Sequence, residues 1–408
     1  MAASASANPE SPGAPRLPAH WAFGPADCQL RTRIVFGCGT VRRLGELAAE
    51  WARSRVLLVT DPGIVQAGHA ARVSAILEEG GRKVTVFDQV RENPDTECVE
   101  ACLAVARAID PELIVGLGGG SSMDTAKGCN FLHTNGGRMR DYWGVGKATR
   151  PMLPFIAIPT TAGTGSECQS AALIADAQSH AKMACLDPKA AARIALLDPE
   201  LTVTQPPRVT ACTGIDAVAH AVETAVTAKR TPLSSMFSRE AFRLLAPTLP
   251  VVLKSPTDLD ARGRMLLGAA LAGTAIELSM LGAAHAAANP LTAHFNVVHG
   301  LAVGLMLPHV VRFNARDARV ADAYAELMRG TGWAEAANDA GELSELLAAR
   351  LSQLVLGCGL TPNLEAAGVR AEALPTLAAE AAGQWTAGFN PRPIAAPEFE
   401  QLYRQAMV

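Results

Sequence analysis

Three histidines fall within GAAHAAANPLTAHFNVVHG, residues 282–300, a run otherwise made mostly of alanine and other apolar residues. A buried imidazole without a partner is costly, so His285, His294 and His299 call for one. Upstream, TACTGIDAVAHAVET (210–224) holds Asp216 and His220 four residues apart. On a helix that spacing puts both on one face, a turn from each other. Asp-x-x-x-His is a half-site for a divalent metal. Taken alone, a capping Asp and a hydrogen-bonded His is the plainer reading. Joined by His285 and His299, the set becomes three neutral imidazoles and one carboxylate, which suits Zn²⁺ or Fe²⁺ better than Mg²⁺ or Ca²⁺. Four protein ligands close a tetrahedral site, whereas catalysis needs an open position. Fe²⁺ accepts five or six ligands and keeps room for a substrate oxygen, so iron is favoured, with Zn²⁺ the alternative. His294, nine residues past His285 and out of helical phase with it, is assigned to a pocket wall or the surface. His309, in LMLPHVV, is assigned to the packed, hydrogen-bonded core.

A second kind of chemistry is written in LIVGLGGGSSMDTAKG (113–128), where a buried strand runs into Gly118, Gly119, Gly120 and Ser121 and then a helix. Glycines let the backbone approach a phosphate, and the N–H groups of a helix start favour an anion. The loop is neither G-x-x-x-x-G-K-[ST] nor G-x-G-x-x-G, and a tight turn with no ligand is the alternative. IPTTAGTGSE (158–167) sets Thr160, Thr161, Thr164 and Ser166 around two glycines after a strand, a loop able to grip a diphosphate or a ribose, or simply a polar turn. Asp61 directly follows VLLVT, where a carboxylate accepts from a ribose diol and repels a 2′-phosphate. Asp61-Pro62-Gly63 is equally an ordinary turn.

The elements that must hold these groups divide into two grammars. From about residue 30 to 205, short β-rich runs alternate with helical stretches: VLLVT (56–60), KVTVF (83–87), a helix from about 96 to 109, ELIVGLGGG (112–120) and FIAIPTT (155–161). That rhythm implies a mostly parallel sheet with helices on its faces. AALIAD (171–176), HAKMACLD (180–187) and IALLD (194–198) read as further strands, the first two paired as a hairpin. After TQPP (204–207) the chain is rich in Ala, Leu and Glu at helical spacing. The expected architecture is a disordered tail over 1–23, an α/β dinucleotide-binding domain over 24–205 and an all-helical metal-binding domain over 206–408, with a cleft between the two domains.

Composition narrows the function. The formal charge is −3 in 408 residues, which points to neither nucleic acid nor an anionic membrane as partner. Nine cysteines without a C-x-x-C pair suit reduced thiols in a cytoplasm. The apolar stretch 265–308 is interrupted by Glu277, His285, Asn289, Pro290, His294 and His299, so core helices are expected there rather than a membrane span.

GLGGGSSMDTAKG, IPTTAGTGSE, DPELTVTQPP, TGIDAVAHAVE and the block from His285 to HGLAVGLMLPHVVRFN stand in the order found in the iron-containing alcohol dehydrogenases, which the chain resembles from about residue 30 to 400. The resemblance implies the two-domain dehydroquinate synthase-like fold and reversible hydride transfer between a small alcohol and NAD⁺. It implies Asp216, His220, His285 and His299 as ligands of Fe²⁺ or Zn²⁺. The diphosphate of NAD would lie on Gly118, Gly119, Gly120 and Ser121, with Asp61 favouring NAD over NADP. Asp124, Thr160, Thr161 and Thr164 would complete the cofactor site, and Lys182 would stand near the nicotinamide ribose. The expected assembly is a homodimer. One departure concerns Asn289-Pro290, where many members carry His-Pro. Asn cannot titrate near neutral pH, so Asn289, with Lys182 the other candidate catalytic residue, leaves the proton route to water or a ribose hydroxyl. The alternatives of the same fold are maleylacetate reductase, hydroxyacid–oxoacid transhydrogenase and, least favoured, 3-dehydroquinate synthase; outside that class stands a protein that binds a nucleotide without turning it over.

Overall fold

The computed structural model describes residues 26–179, 181–334 and 339–408, so the 1–23 tail lies outside the described residues. The β-rich runs named above form β2 (Arg55–Val59), β3 (Lys83–Phe87), β4 (Leu113–Gly118), β6 (Phe155–Pro159), β7 (Ala171–Ala175), β8 (Lys182–Leu186) and β9 (Ile194–Leu197). Two strands were not anticipated, β1 (Arg33–Phe36) and the two-residue β5 (Gly144–Val145). Six strands form one sheet in the order β1-β9-β6-β4-β2-β3, with every pairing parallel. In the small second sheet, β7 and β8 make the antiparallel hairpin.

Both faces of the large sheet are covered. Leu57, Val59 and Ile114 pack into the core on one side, while Val56, Leu58, Leu113, Val115 and Leu117 pack on the other. A strand buried on both faces has no position for a polar residue, which is why LIVGLG runs unbroken. The strands β6, β4 and β2 are neighbours, and Gly118 is paired with Pro159. The segments that follow these three strands therefore emerge side by side at one edge of the sheet, where open α/β sheets bind ligands.

From Pro207 on, the described chain is helical. Pro207 opens the Pro207–Thr224 helix at a position where a missing N–H costs nothing. The helices Leu259–Leu278, Ala283–Phe295 and His299–Asn314 follow. Small residues let them approach closely: a Cβ on Gly300 would overlap the Cys212 carbonyl, and one on Gly304 would meet Ile215. No single described helix is long and apolar enough to cross a membrane, and the apolar pair Leu259–Leu278 and Ala283–Phe295 is bent by 105°.

Candidate active site

Asp216, His220 and Glu223 lie at i, i+4 and i+7 of the Pro207–Thr224 helix, on one face, and all three are buried. His285 is the third residue of the Ala283–Phe295 helix, and His299 is the first of His299–Asn314. Three helices thus converge on one point. The Nε2 atoms of His285, His220 and His299 lie 3.4, 3.5 and 3.8 Å from Asp216 Oδ1. Ligands about 2.1 Å from a shared ion stand roughly 3.0–3.4 Å apart. His285 matches that spacing, His220 stands 0.1 Å outside it, and His299, 28 % exposed, stands wider. Asp216 Oδ1 and His285 Nε2 are buried without a hydrogen-bond partner among the described residues. Polar atoms left open toward one another in the interior fit a divalent cation between them.

The electrostatics agree with this reading. Burial drives Asp216 upward, but the surrounding imidazoles outweigh it and hold the carboxyl below its usual range. Burial pushes His220 down and His299 to about 3, favouring the neutral form that a metal ligand needs. Burial acts the same way on His285, yet Glu223 and Asp216 on either side lift it to about 9. Positive charge is favoured at that spot, whether it arrives as a proton or as a metal ion.

Glu223 was not singled out in the sequence, although it lies within the Asp216–His220 stretch. It accepts from His285 Nδ1 at 2.5 Å and from the Ala284 amide at 2.7 Å. The Ala283–Phe295 helix has no side-chain cap of its own, so a carboxylate from a neighbouring helix both caps it and orients its histidine. Asn390 shares that task, accepting from the Ala283 amide and pairing with Asn314. The i, i+4, i+7 spacing was the available signal for Glu223; nothing local marked Asn390.

The second set gathers where the sheet meets these helices. Gly118 has φ +143°, a conformation that favours glycine. A Cβ there would overlap the Ser122 hydroxyl and come within 3.2 Å of Asp61 Oδ2. Cβ atoms on Gly119 and Gly120 would meet Thr161 and Thr164. Glycines thus keep open the space between Asp61 and the threonine loop. The helix starting at Gly120 has no side-chain cap, so its first amides are available to an anion. Ser121 Oγ accepts from the Asn93 amide at 3.3 Å, which brings the 91–95 loop, unremarked in the sequence, to the same rim. Asp61 accepts from the Ile64 amide as a helix cap, so the turn reading and the ligand reading coexist. Thr160 is buried, its amide donating to the Gly118 carbonyl.

A buried network ties this cradle to the helical half. Lys127 Nζ donates to the Ser166 carbonyl at 2.6 Å, to Ser166 Oγ at 2.9 Å and to the Ala171 carbonyl at 2.9 Å. Ser166 Oγ in turn donates to Asp124 at 2.9 Å. Asp124, expected to face a cofactor, is 9 % exposed and accepts this bond at Oδ1. The loop also presses on two helices: Gly163 packs against Thr213, and a Cβ on Gly165 would lie 2.6 Å from Gly273 Cα. Lys182 opens β8 and reaches solvent, yet enough protein surrounds its ammonium that desolvation lowers it, against the fields of Asp124 and Asp216. It therefore stands between the glycine loop's side and the metal ligands' side.

The remaining candidates separate. Asn289 lies one turn past His285, and its amide donates to Gln384 Oε1 at 3.0 Å. His294 is at the surface, paired with Glu380 at 2.9 Å. His309, expected to be hydrogen-bonded in the core, is half-buried and makes no hydrogen bond among the described residues, and burial holds it near a pKa of about 4.

The family described as iron-containing alcohol dehydrogenase matches residues 31–199, and the C-terminal family of Fe-containing alcohol dehydrogenases matches 210–407. Alcohol dehydrogenase 4 of Schizosaccharomyces pombe is 34 % identical over 91 % of this chain and 87 % of its own. The NAD-dependent methanol dehydrogenase of Bacillus methanolicus is 31 % identical over 91 % of this chain and 97 % of its own. Among solved structures, a 1,3-propanediol oxidoreductase superposes with a TM-score of 0.91 at 30 % identity, covering 94 % of this chain and all of that one.

Proposed function

Because the chain belongs to the iron-containing alcohol dehydrogenase family, we propose that it interconverts small alcohols and aldehydes with NAD(H), and that the residues described above carry out that reaction. Asp216, His220, His285 and His299 would hold the metal, Fe²⁺ with Zn²⁺ as alternative. The observation that carries this assignment is the convergence of three Nε2 atoms within 3.8 Å of one unpartnered carboxylate oxygen. When bound, the metal favours the alkoxide form of the alcohol and polarises the carbonyl, and nicotinamide accepts or returns the hydride.

The chain's own residues supply position and charge. Gly118, Gly119, Gly120 and Ser121 would take the diphosphate on open amides, and Thr161 and Thr164 would close over it. Thr160 would support that loop from behind, and Asp61, beside Gly118, would accept from the adenine ribose. Asp124 acts through Ser166 as a positioning residue rather than through direct contact. Lys182 would hold the nicotinamide ribose on the side facing the ligands. Asn289 cannot shuttle a proton, so that task would fall to water or a ribose hydroxyl.

The reading includes a homodimer. Strand β1 is a sheet edge beside exposed Leu30, Ile34 and Phe36, a surface suited to a second copy. It also includes a cytoplasmic setting, supported by nine unpaired thiols. The test follows NADH absorbance with a panel of alcohols and aldehydes, before and after chelation and metal return. Loss on chelation and recovery with Fe²⁺ or Zn²⁺ is expected; activity indifferent both to chelation and to His285→Ala would overturn the reading.

A further inference from the structure

Glu277 breaks the apolar run LLGAALAGTAIEL and stands next to last in the Leu259–Leu278 helix. A carboxylate there is unfavourable twice over: it is half-buried, and the last turn of a helix already carries partial negative charge. Its partner lies 107 residues earlier. Ser170, 5 % exposed, donates its amide to Glu277 Oε2 at 2.9 Å and its hydroxyl to Oε1 at 2.8 Å and Oε2 at 2.9 Å. Ser170 closes the turn that follows the threonine loop. Lys127, from the dinucleotide-binding half, donates to Ser166 and to the Ala171 carbonyl of that same turn. Burial lowers the Lys127 ammonium, and the charges of Asp124, Glu277 and Glu167 oppose that shift. Residues 166–171 are thus gripped by a cation from one half and an anion from the other.

The gripped turn sets Thr164. Gln169 Nε2, beside Ser170, donates to the Thr164 carbonyl at 2.8 Å, and the Ser166 amide donates to Thr164 Oγ1 at 3.2 Å. A hydroxyl that accepts from an amide keeps its own proton for another acceptor. Thr164 faces Gly120, the first residue of the uncapped helix, where a Cβ would lie 3.0 Å from Oγ1. Resting on the dehydrogenase reading, we propose that Glu277 is a positioning residue for the coenzyme. From the metal-binding half, and through Ser170, it holds the threonine loop so that Thr164 directs its O–H at a diphosphate on the glycine loop. Without the carboxylate, the Ser170 amide is buried and unpaired. The turn must then shift to find it an acceptor, and Thr164 leaves its alignment. Coenzyme affinity therefore depends on a side chain of the helical half that acts through Ser170 rather than by contact.

The experiment titrates NADH by its fluorescence against the metal-loaded wild type, Glu277→Ala, Glu277→Gln and Ser170→Ala, and measures metal affinity in each by chelator competition. Glu277→Ala should weaken NADH binding about tenfold, the scale of a lost hydrogen bond to a charged group. Ser170→Ala, which keeps the amide donor, should lose about threefold, and Glu277→Gln, which keeps an acceptor for that amide, should lose no more than about threefold. Metal affinity should hold in all three, although Glu277 precedes His285 by only eight residues, so a general loosening of the helical half is told apart from a displaced loop. Ser170→Ala keeps the test open if Glu277→Ala does not fold. NADH affinity unmoved in the folded variants, or falling in step with metal affinity, overturns the proposal and leaves the dehydrogenase reading standing. A metal-loaded wild type that binds no NADH defeats that reading first, and this one with it.

Discussion

Glu223 Oε2 lies 2.5 Å from His285 Nδ1, and its other oxygen accepts from the Ala284 amide beside that histidine. One carboxylate thus fixes both the ring and the start of the helix that carries it. A ligand whose far nitrogen donates to a carboxylate is a stronger donor at its near one. Glu223→Gln should keep the cap but weaken the donor, lowering metal affinity about 10- to 100-fold. Competition with a metallochromic chelator measures this, and unchanged affinity would refute the role.

Glu167 is 2 % exposed, and burial lifts its carboxyl from 4.5 to about 7. The folded chain retains a proton there that the unfolded chain has lost. Stability contributed by this group therefore falls as pH rises from about 4.5 to about 7 and is level above, a change of about 3 kcal/mol. Urea midpoints at a series of pH values should show this slope in the wild type and lose it in Glu167→Gln.

Gly273 meets Gly165 backbone to backbone, with no flexible side chain to yield. Gly273→Ala should cost about 1–3 kcal/mol, as overpacking does, and should raise KM for NAD⁺ by shifting the threonine loop. Thermal unfolding and coenzyme titration check the two effects separately. A variant of normal stability and normal KM would show that the contact is slack.

Asp61 caps the Pro62–Gln66 helix and lies beside Gly118. Asp61→Ser keeps a capping oxygen and removes the charge that would repel a 2′-phosphate. The ratio of kcat/KM for NADP⁺ over NAD⁺ should rise at least tenfold. A ratio that stays constant would move the ribose elsewhere.

Much of this site could be read before any coordinates, because its signals are local. A glycine run after an apolar strand, and an Asp and a His one turn apart, carry their geometry in their spacing. Strands β2, β4 and β6 were legible for the same reason, since a strand covered on both faces must be largely apolar, and β3, at the sheet edge, showed in its β-branched run KVTVF. What stayed hidden depends on partners far along the chain. Gln384 meets Asn289 across 95 residues, and Lys127 meets Ser166 across 39. Glu223 was in view, but its meaning depended on where the Ala283–Phe295 helix begins. Asp124 read as a cofactor contact, and its bond to Ser166, 42 residues on, had no local signal. The edge strand β1 was missed because it is only four residues long and buries just one of them, Val35.

The Lys127 ammonium has all three of its protons engaged, two of them on Ser166. A charge so fully occupied cannot turn to greet an arriving phosphate. Its work is finished at folding, and the threonine loop is already set when coenzyme diffuses in. A dinucleotide lying on that loop would then meet the cost of ordering chiefly in its own free rotors.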